Sequence, residues 1–297
     1  MNLDTPPVCN YEGSDYQQSF WEEGGRAYED AAEAIALRRL LPKNGSRMLE
    51  LGAGAGRNTH RYLGYDQIVL VDYSTTQLQQ ARARLGESNH YKFVAADIYH
   101  LPFVEGLFDG ATMIRTLHHM ADARAALDQV RSVLQSSAIF ILEYANKRNL
   151  KSILRYTFRR QAWNPFSPEP IEFADLNFDF HPLTVRAWLG LSKFAIQRTL
   201  TVSHFRIGFL KRIVPLKLLV WMDQLLQLTG EWFQLSPSVF LRTKAIGDSP
   251  AAIDGQFFKC PSCGTPLQDT PPELICDHCG LHYPVNNGIY DFRLNAK

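Results

Sequence analysis

The chain lacks a long hydrophobic run. Its most apolar stretch, IVPLKLLVWM at residues 213–222, contains Pro215 and Lys217 and is too short to cross a bilayer as a helix. The first residues, MNLDTPPVCNYEGSDYQQ, show neither the basic start nor the apolar core of a secretory signal. These two absences predict a cytoplasmic protein without a transmembrane segment.

Cysteine is also scarce, since the 297 residues contain only five. Four of them form two CxxC pairs within CPSCGTPLQDTPPELICDHC, residues 260–279, whereas Cys9 stands alone and has no predicted role. In a reducing compartment such pairs bind zinc more often than they form disulfides. Four thiolates would make a closed, structural Zn²⁺ site without an open coordination position. The predicted ligands are Cys260, Cys263, Cys276 and Cys279.

Charge of either sign is not in excess, because the formal net charge is +1. This balance indicates neither nucleic acid nor membrane as a partner. The distribution is uneven, however: residues 147–217 contain 13 Lys or Arg against 4 Asp or Glu. The basic residues of 147–160 form one face at helical spacing. That face could meet RNA phosphates, anionic lipid headgroups or an acidic small molecule, or it could be an ordinary solvated surface.

Short apolar runs alternate with helical patterns from residue 25 to residue 143. Strands are predicted over RMLEL (47–51), IVLVD (68–72), YKFVAAD (91–97), GATMI (110–114) and AIFILEY (138–144). Helices are predicted over 27–41, from about Asn58, over 75–85 with Ser74 as N-cap, and over 121–134. This alternation predicts an α/β fold with a parallel sheet.

The pattern becomes less regular after Tyr144. Helices are predicted over 149–160, 181–189 and 216–228, strands over 197–205 and 238–245, and a proline-rich loop over 164–173. The helix at 216–228 is apolar around most of its circumference, so we expect it to be buried under a cap. A lid over the substrate or a peripheral membrane contact is the alternative for this helix.

A glycine-rich turn, ELGAGAGRN at residues 50–58, follows the first predicted strand. Its glycines permit positive φ angles and let a ligand approach the backbone closely. The free N–H groups at the start of a following helix favour a nucleotide. The dinucleotide fingerprint would require glycine or alanine at position 57, where the chain has Arg57. A nicotinamide-dependent oxidoreductase is therefore disfavoured.

The three glycines that follow Glu50 at GxGxG spacing resemble motif I of the class I S-adenosylmethionine (SAM)-dependent methyltransferases, in particular the type 11 group. Asp72 and Asp97, which end the second and third strands, and FDGATMIRTLHHM (108–120) are similar to the motifs that follow in that family. The resemblance covers about residues 20–245. It implies a Rossmann-like, seven-stranded mixed sheet with helices on both faces, and transfer of a methyl group from SAM.

The resemblance also implies which residues bind SAM. Asp72 would accept from both ribose hydroxyls, and Asp97 from the adenine amino group, with Ile98 against the ring. Tyr28 is either a further contact or a helix-packing residue. The full predicted set is Glu50, Leu51, Gly52, Ala53, Gly54, Gly56, Asn58, Asp72, Tyr73, Ser74, Ala96, Asp97, Ile98 and Arg115.

In-line methyl transfer depends mainly on positioning, and it needs a general base only where the acceptor atom must lose a proton. His118 and His119 follow the fourth strand, at the edge where this fold opens its substrate cleft, and are the candidate catalytic residues. A loop with one packed and one solvated histidine is the alternative. Glu143 and Tyr144 are further candidates at the same edge.

The C-terminal stretch FKCPSCGTPL…ELICDHCGLHYPVNNGIYDF resembles the small zinc-ribbon family that activates tRNA and release-factor methyltransferases by binding them. The ribbon is usually a separate chain there, so its binding would be intramolecular here. The predicted division is a methyltransferase domain at 1–246 with cap segments at 147–180 and 207–236, a linker at 247–256, and a zinc ribbon at 257–297.

The methyl acceptor stays open between three alternatives. The basic face and the apolar helix favour an amphiphilic small molecule such as a quinone or lipid precursor. RNA bound through residues 147–160, or a protein, is the second, since rRNA guanine methyltransferases also carry a zinc ribbon, although at their N-terminus. A catalytically silent partner protein with the SAM fold is the third, which the intact Glu50, Asp72 and Asp97 disfavour.

Overall fold

Runs of Val, Ile, Leu and Met form the strands at the centre of the sheet, and short polar turns connect them to the helices. The computed structural model describes residues 6–14, 19, 21 and 23–294. The outermost residues of the predicted domains, and part of the stretch searched for a secretory signal, lie outside the described residues.

The bounds of the elements are as follows. The strands are β1 (Gly45–Leu51), β2 (Tyr65–Asp72), β3 (Tyr91–Ala95), β4 (Phe108–Met113), β5 (Leu134–Ala145), β6 (Ile171–Ala174), β7 (Asn177–Asp179), β8 (Phe194–Val202), β9 (Ser238–Ala245), β10 (Phe258–Lys259), β11 (Pro266–Leu267), β12 (Glu273–Ile275), β13 (His282–Asn286) and β14 (Ile289–Asp291). The helices are α1 (Ala27–Leu40), α2 (Thr75–Leu85), α3 (Ala123–Val133), α4 (Leu150–Thr157), α5 (Pro182–Leu191), α6 (Gly208–Ile213) and α7 (Leu216–Leu226).

Seven strands form a mixed sheet in the order β3-β2-β1-β4-β5-β9-β8. Strands β1 to β5 run parallel, and β9 is antiparallel to both β5 and β8. Ala145 at the end of β5 and Val202 at the end of β8 both pair with Ser238. The chain segments that follow β5 and β8 therefore leave the sheet at the same edge. This arrangement confirms the predicted α/β fold with its seven-stranded mixed sheet.

The cysteine-bearing segment extends this sheet at its β3 edge. Strand β14 pairs in parallel with β3, with Ile289 beside Phe93 and Asp291 beside Ala95. Strands β13 and β12 follow in antiparallel order, which brings the sheet to ten strands. The C-terminal segment and the α/β part therefore share main-chain hydrogen bonds.

Phe258 attaches the C-terminal segment to the hydrophobic core. Its side chain is fully buried, and its ring stacks on that of Phe103 with the centroids 5.9 Å apart. The rings of Tyr290 and Phe292 each lie 4.9 Å from it. Residues on both sides of the β3–β14 pairing belong to one continuous core.

The prediction of a helix from about Asn58 is wrong. Only a 3₁₀ turn, Thr59–Arg61, follows the glycines, and β2 already begins at Tyr65. Gly64 lies so close to Lys43 that a Cβ atom at residue 64 would stand 2.0 Å from the Lys43 carbonyl oxygen. The chain turns back into the sheet too early for a longer helix to form. The hairpin β6–β7 and the short helix α6 were not predicted.

The expectation that the helix at 216–228 is buried is also wrong. Leu219 and Asp223 are buried in α7, whereas Trp221 is 57% exposed and Leu225 is 53% exposed. The buried stripe packs on α1, where Tyr28 Oη donates to Asp223 at 2.9 Å. Apolar composition does not distinguish a helix that is buried on all sides from one that presents apolar side chains outward. None of the described helices combines the length and apolarity needed to cross a membrane.

Truncation of Phe258 should destabilise both parts of the chain together. Phe258→Ala removes a fully buried aromatic ring at the junction, so we expect the free energy of unfolding to fall by about 3–5 kcal/mol in one transition. Ile253→Ala, at a 70% exposed position nearby, is the matched control and should change it by less than about 0.5 kcal/mol. Urea denaturation followed by circular dichroism measures both. Loss of the C-terminal segment alone, with the rest unfolding as in wild type, would contradict a shared core.

Candidate active site

A cavity opens at the carboxyl ends of β1 to β4, and we call it the central cavity. The predicted cofactor residues that line it are Glu50, Leu51, Gly52, Ala53, Gly54, Asn58, Asp72, Tyr73, Ala96, Ile98 and Arg115. His119 lines the central cavity, whereas His118 is not among the residues that line it. The structure therefore brings one predicted catalytic residue together with most of the predicted cofactor residues.

Two glycines of the turn at 50–58 shape the wall in different ways. Both have positive φ angles, 63° at Gly52 and 53° at Gly54. A Cβ atom at residue 52 would stand 2.1 Å from Thr116 Oγ1, so glycine is required there for packing. At residue 54 the nearest atom to a Cβ would be Gln77 Oε1, 3.8 Å away. The backbone at Gly54 is therefore open to a ligand in the central cavity.

Three predicted cofactor residues do not line the central cavity and have structural contacts instead. Gly56 packs against α2, where a Cβ atom would lie 3.1 Å from Leu85 Cδ1. The side chain of Ser74 accepts from the N–H of Gln77 and forms the predicted N-cap of α2. Asp97 Oδ1 accepts from the N–H of Tyr99 at 2.9 Å. A motif read from sequence does not separate ligand contacts from capping and packing contacts.

The Asp72 carboxylate is held at the cavity wall by backbone N–H groups. Oδ2 accepts from Gly54 at 2.8 Å, and Oδ1 accepts from Ser74 at 2.9 Å. Burial raises the pKa of Asp72, while these hydrogen bonds act in the opposite direction. Because each carboxylate oxygen has two lone pairs, both keep capacity for a further donor such as a ligand hydroxyl.

Glu50 is buried beside the glycine turn. Its side chain accepts from Thr59 Oγ1 at 2.6 Å. Burial raises the pKa of Glu50 to about 8, although the Thr59 hydroxyl and the nearby Arg57 act in the opposite direction. The carboxyl group is therefore largely protonated at neutral pH, and a cationic ligand next to it would favour the charged form.

A buried ion cluster ties α1 to the cavity. Glu33 is fully buried and accepts from Arg57 Nη2 at 2.7 Å and from Arg115 Nε at 2.6 Å. Burial alone would raise the pKa of Glu33, but Arg115 and Arg57 lower it below its usual value, so the carboxylate stays charged. Arg57 also pairs with Asp30, and its guanidinium carbon lies 3.5 Å from the centre of the Trp21 ring.

His119 is oriented by both of its ring nitrogens. Nδ1 lies 3.0 Å from the Leu176 carbonyl oxygen, which can only accept, so Nδ1 carries the proton. Nε2 then presents its lone pair to the Tyr11 hydroxyl, 3.1 Å away. Burial lowers the pKa of His119, which keeps the ring neutral near pH 7. Burial lowers the pKa of His118 still further, but His118 is not a lining residue.

The N-terminal segment contributes lining residues that the sequence analysis missed. Residues 8, 9, 11 and 21 line the central cavity. Glu12 anchors the segment, because its carboxylate accepts from the N–H of Thr75 at 3.0 Å and of Thr76 at 3.1 Å. The available signal was four aromatic residues, Tyr11, Tyr16, Phe20 and Trp21, in a largely polar stretch.

The remaining predicted site residues lie behind the cavity wall. The Tyr28 hydroxyl bonds to Asp223, so Tyr28 is a packing residue between α1 and α7. Glu143 is buried and accepts from the N–H of Arg115 at 2.9 Å. Burial raises the pKa of Glu143. Tyr144 is also buried, and none of these three side chains lines the central cavity.

The four predicted metal ligands form one cluster. Their Sγ atoms all lie within 4.8 Å of one another, with Cys260 3.6 Å from Cys279 and Cys263 3.5 Å from Cys276. Tetrahedral zinc with Zn–S bonds of about 2.3 Å would place its sulfurs roughly 3.8 Å apart. The donor set and its spacing therefore fit Zn²⁺. His282 stands outside the cluster, with Nδ1 3.0 Å from Glu273.

Two family models match this chain, and each covers a different part of it. Residues 49–142 match a methyltransferase domain, and residues 256–288 match a Trm112p-like protein. The chain carries a methyltransferase domain and, further toward its C-terminus, a Trm112p-like domain. Both resemblances seen in the sequence motifs are confirmed.

Curated relatives match the methyltransferase domain over part of their length. O-methyltransferase cnsE of Penicillium expansum is 33% identical over 137 residues, which are 41% of this chain and 48% of that protein. Demethylmenaquinone methyltransferase of Clavibacter sepedonicus is 32% identical over 110 residues, 36% of this chain and 45% of that protein. The chain spans about half the length of the curated relatives it matches.

A solved structure shares the fold over a longer region. It is a complex that contains the Trm112 methyltransferase activator of Haloferax volcanii. The matched chain has a TM-score of 0.55 and 13% identity, with 78% of this chain and 96% of that chain covered. At this level of identity the likeness concerns the fold alone.

Arg293, which follows the matched residues 256–288, connects the C-terminal segment to the central cavity. Its Nη1 donates to the Tyr73 carbonyl oxygen at 3.2 Å and lies 3.3 Å from Glu12 Oε2. Tyr73 follows Asp72 at the cavity wall, and Glu12 follows Tyr11 in the N-terminal segment. The guanidinium is held in place by Asp291 of β14, 2.6 Å from Nη2. The C-terminal segment therefore contacts two segments that form the cavity.

The raised pKa of Glu50 should make stability depend on pH. The folded state keeps a proton that the unfolded state loses, so this residue lowers the free energy of unfolding as the pH rises from 4.5 toward about 8. Glu50→Gln removes this contribution. We expect the free energy of unfolding of the variant, relative to wild type, to increase by at least about 1 kcal/mol between pH 5 and pH 8. Urea denaturation without SAM measures it, and a difference that does not change with pH would contradict a buried, neutral Glu50.

Proposed function

We propose that the protein transfers a methyl group from SAM to an amphiphilic small molecule bound in the central cavity. The observation that carries this proposal is the meeting, in one cavity, of the open backbone at Gly54, the backbone-held Asp72 carboxylate and the neutral base His119. Similarity to an O-methyltransferase and to a demethylmenaquinone methyltransferase supports an acceptor of this class.

The residues of the cavity wall fit the polar groups of SAM. Asp72 would accept from the ribose hydroxyls, and the open backbone at Gly54 leaves room for the methionine part. Ile98 lines the central cavity and offers an apolar surface to the adenine ring. Glu50, ionised beside the cationic ligand, would offset its positive charge. Asp97 could contribute only if its carboxylate accepted a hydrogen bond beyond that from Tyr99.

His119 would serve as the general base for an acceptor hydroxyl. SAM supplies the electrophilic methyl group. The Leu176 carbonyl holds the tautomer in which Nε2 is unprotonated, so that a substrate hydroxyl that replaced the Tyr11 hydroxyl beside Nε2 would give its proton to this atom. The acceptor oxygen would lose that proton to Nε2 as it took the methyl group, and S-adenosylhomocysteine would be the leaving group. Tyr11, now 3.1 Å from Nε2, marks the position at which such a hydroxyl would lie.

We also propose that the Trm112p-like domain binds one structural Zn²⁺ through its four thiolates and supports the methyltransferase domain within the same chain. The functional division would be residues 1–246, a linker at 247–256, and residues 257–297. The contacts of β14 with β3 and of Arg293 with Tyr73 support this proposal. A ribbon of this size has too small a core to fold alone, so the metal would supply folding energy.

Transfer of labelled methyl from SAM into a fractionated cell extract tests the acceptor class. We expect the label in the small-molecule and lipid fraction. In that assay His119→Gln should lower kcat by about 10²–10⁴-fold, with the affinity for SAM changed less than about twofold. His118→Gln, at the neighbouring position outside the cavity lining, is the matched control and should retain most of the rate. Label in RNA or protein alone would contradict a small-molecule acceptor, and full activity of His119→Gln would contradict its role as base.

Metal analysis tests the thiolate site. The purified protein should contain about one zinc per chain. Cys260→Ser should lose the metal and lower the Tm, because Cys260 is buried next to the junction at Phe258. Cys9→Ser, outside the cluster, is the control and should retain the metal. A protein that is fully stable without metal would contradict a structural zinc site.

A further inference from the structure

The segments that follow β5 and β8 expose an unusual amount of apolar surface. Within residues 150–158 and 207–235, which we call the cap face, Phe158, Phe209 and Trp232 are 68%, 68% and 74% exposed. Ile213 and Phe233 are 60% and 61% exposed. Large contiguous apolar patches on a protein surface mark interaction sites rather than ordinary solvated faces.

Helix α4 is amphipathic, and much of its apolar side-chain surface is exposed. Leu150, Leu154 and Phe158 recur at the spacing of one helical turn and are 51%, 47% and 68% exposed. A lysine or arginine follows each of them in the chain. Ser152 is the residue that the helix buries. An apolar stripe beside a basic stripe, both facing outward, is typical of a helix that lies in a membrane interface.

Helix α7 presents a second apolar stripe outward. Leu218, Trp221 and Leu225 follow one another at helical spacing and are 45%, 57% and 53% exposed. The opposite stripe, with Leu219 and Asp223, is the one that packs against the protein. Hydrophobic side chains therefore cover the inner and the outer side of the same helix.

The two segments of the cap face meet where α4 begins. The N–H of Leu150, at the start of α4, donates to the carbonyl oxygen of Leu235 at 2.8 Å. The side-chain amide of Asn146 donates to the carbonyls of Gln234 and Ser236, both at 2.8 Å. The chain from 207 to 235 therefore ends beside the beginning of α4.

The charges on and beside the cap face are mostly positive. Residues 148–160 and 206–235 contain nine Lys or Arg and two acids, of which Asp223 is buried and Glu231 accepts from the N–H of Thr199. Such a surface is complementary to negative charge. Two copies of this chain meeting through the cap face would bring their cationic groups together. A nucleic acid would neutralise the charge but would leave the Leu, Ile and Phe side chains in water.

We propose that the cap face docks on a bilayer that contains anionic phospholipid. Aromatic and aliphatic side chains would enter the headgroup region, and the basic residues would lie among the phosphates. The proposal goes beyond methyl transfer and does not depend on it. Because β5 and β8 end at the edge where the central cavity opens, docking would place that cavity near the bilayer surface.

Vesicle flotation of the full chain tests this proposal. The protein should float with vesicles of phosphatidylcholine mixed with phosphatidylglycerol, and at least about tenfold less with phosphatidylcholine alone. The double variant Trp221→Glu with Trp232→Glu should lose at least about tenfold in partitioning. Its matched control is Ile253→Glu, which places a carboxylate at another exposed apolar position, 70% exposed, and should bind as wild type.

Two triple substitutions distinguish vesicle binding by the basic stripe of α4 from a general dependence on the net charge of the protein. Replacing Lys151, Arg155 and Arg159 by Gln should weaken binding to the anionic vesicles at least about tenfold. The same change at Lys43, Arg84 and Lys193, outside the cap face, should weaken it less than about threefold. Thermal unfolding of each variant should match wild type, because the substituted side chains are exposed. Absence of flotation would overturn the proposal. So would light scattering that showed a wild-type dimer and a monomeric double variant, because the cap face would then be a dimer interface. Equal losses for the two triple substitutions would overturn it as well.

Discussion

The pairing of β14 with β3 is the contact on which the rest of the molecule depends. An unpaired edge of a parallel sheet is a liability, and a forty-residue ribbon cannot stand on its own core. Joining the two solves both problems, because the edge gains a partner and the ribbon gains the aromatic core around Phe258. The same pairing brings Arg293 to Tyr73 and Glu12, so a strand contact at the sheet edge also positions part of the cavity wall. The C-terminal segment with the cysteine cluster is therefore a structural part of the same sheet.

The ionisable groups in and beside the central cavity are kept in their charge states by different means. Glu33 stays ionised because two arginines hold it, whereas Glu50 and His119 are kept neutral by burial. The carboxylate of Asp72 depends instead on backbone N–H groups. This combination suits a cationic ligand next to Glu50, whose carboxyl group it would ionise, and a second ligand next to the neutral base His119. Each of these states follows from local packing, so none requires a distant partner.

The parallel part of the sheet and the cysteine cluster were predictable because both depend on short-range patterns. Alternation of strands and helices predicts a parallel sheet, and the spacing of the CxxC pairs predicts that the four thiols lie together. Ser74 was predicted both as an N-cap and as a cofactor contact, and the packing role of Gly56 and the turn role of Asp97 were not predicted, since capping, packing and ligand contacts use the same residue types. The sequence also could not show that residues 8–11 return to the cavity, or that β14 joins β3, because both are long-range contacts. The exposure of α7 escaped prediction since apolar composition does not reveal which faces have a protein partner.

The cap face and the central cavity lie at the same edge of the sheet. An amphiphilic acceptor in a bilayer bound by the cap face would therefore lie near the cavity. The proposed methyl transfer requires that the cavity binds SAM. Isothermal titration calorimetry of the full chain tests this most directly. The structure predicts one saturable site per chain for SAM, competition by S-adenosylhomocysteine, no heat with NAD or NADP, and at least about tenfold weaker binding after Asp72→Asn. Absence of SAM binding by the folded protein, or saturable binding of NAD or NADP in its place, would contradict it.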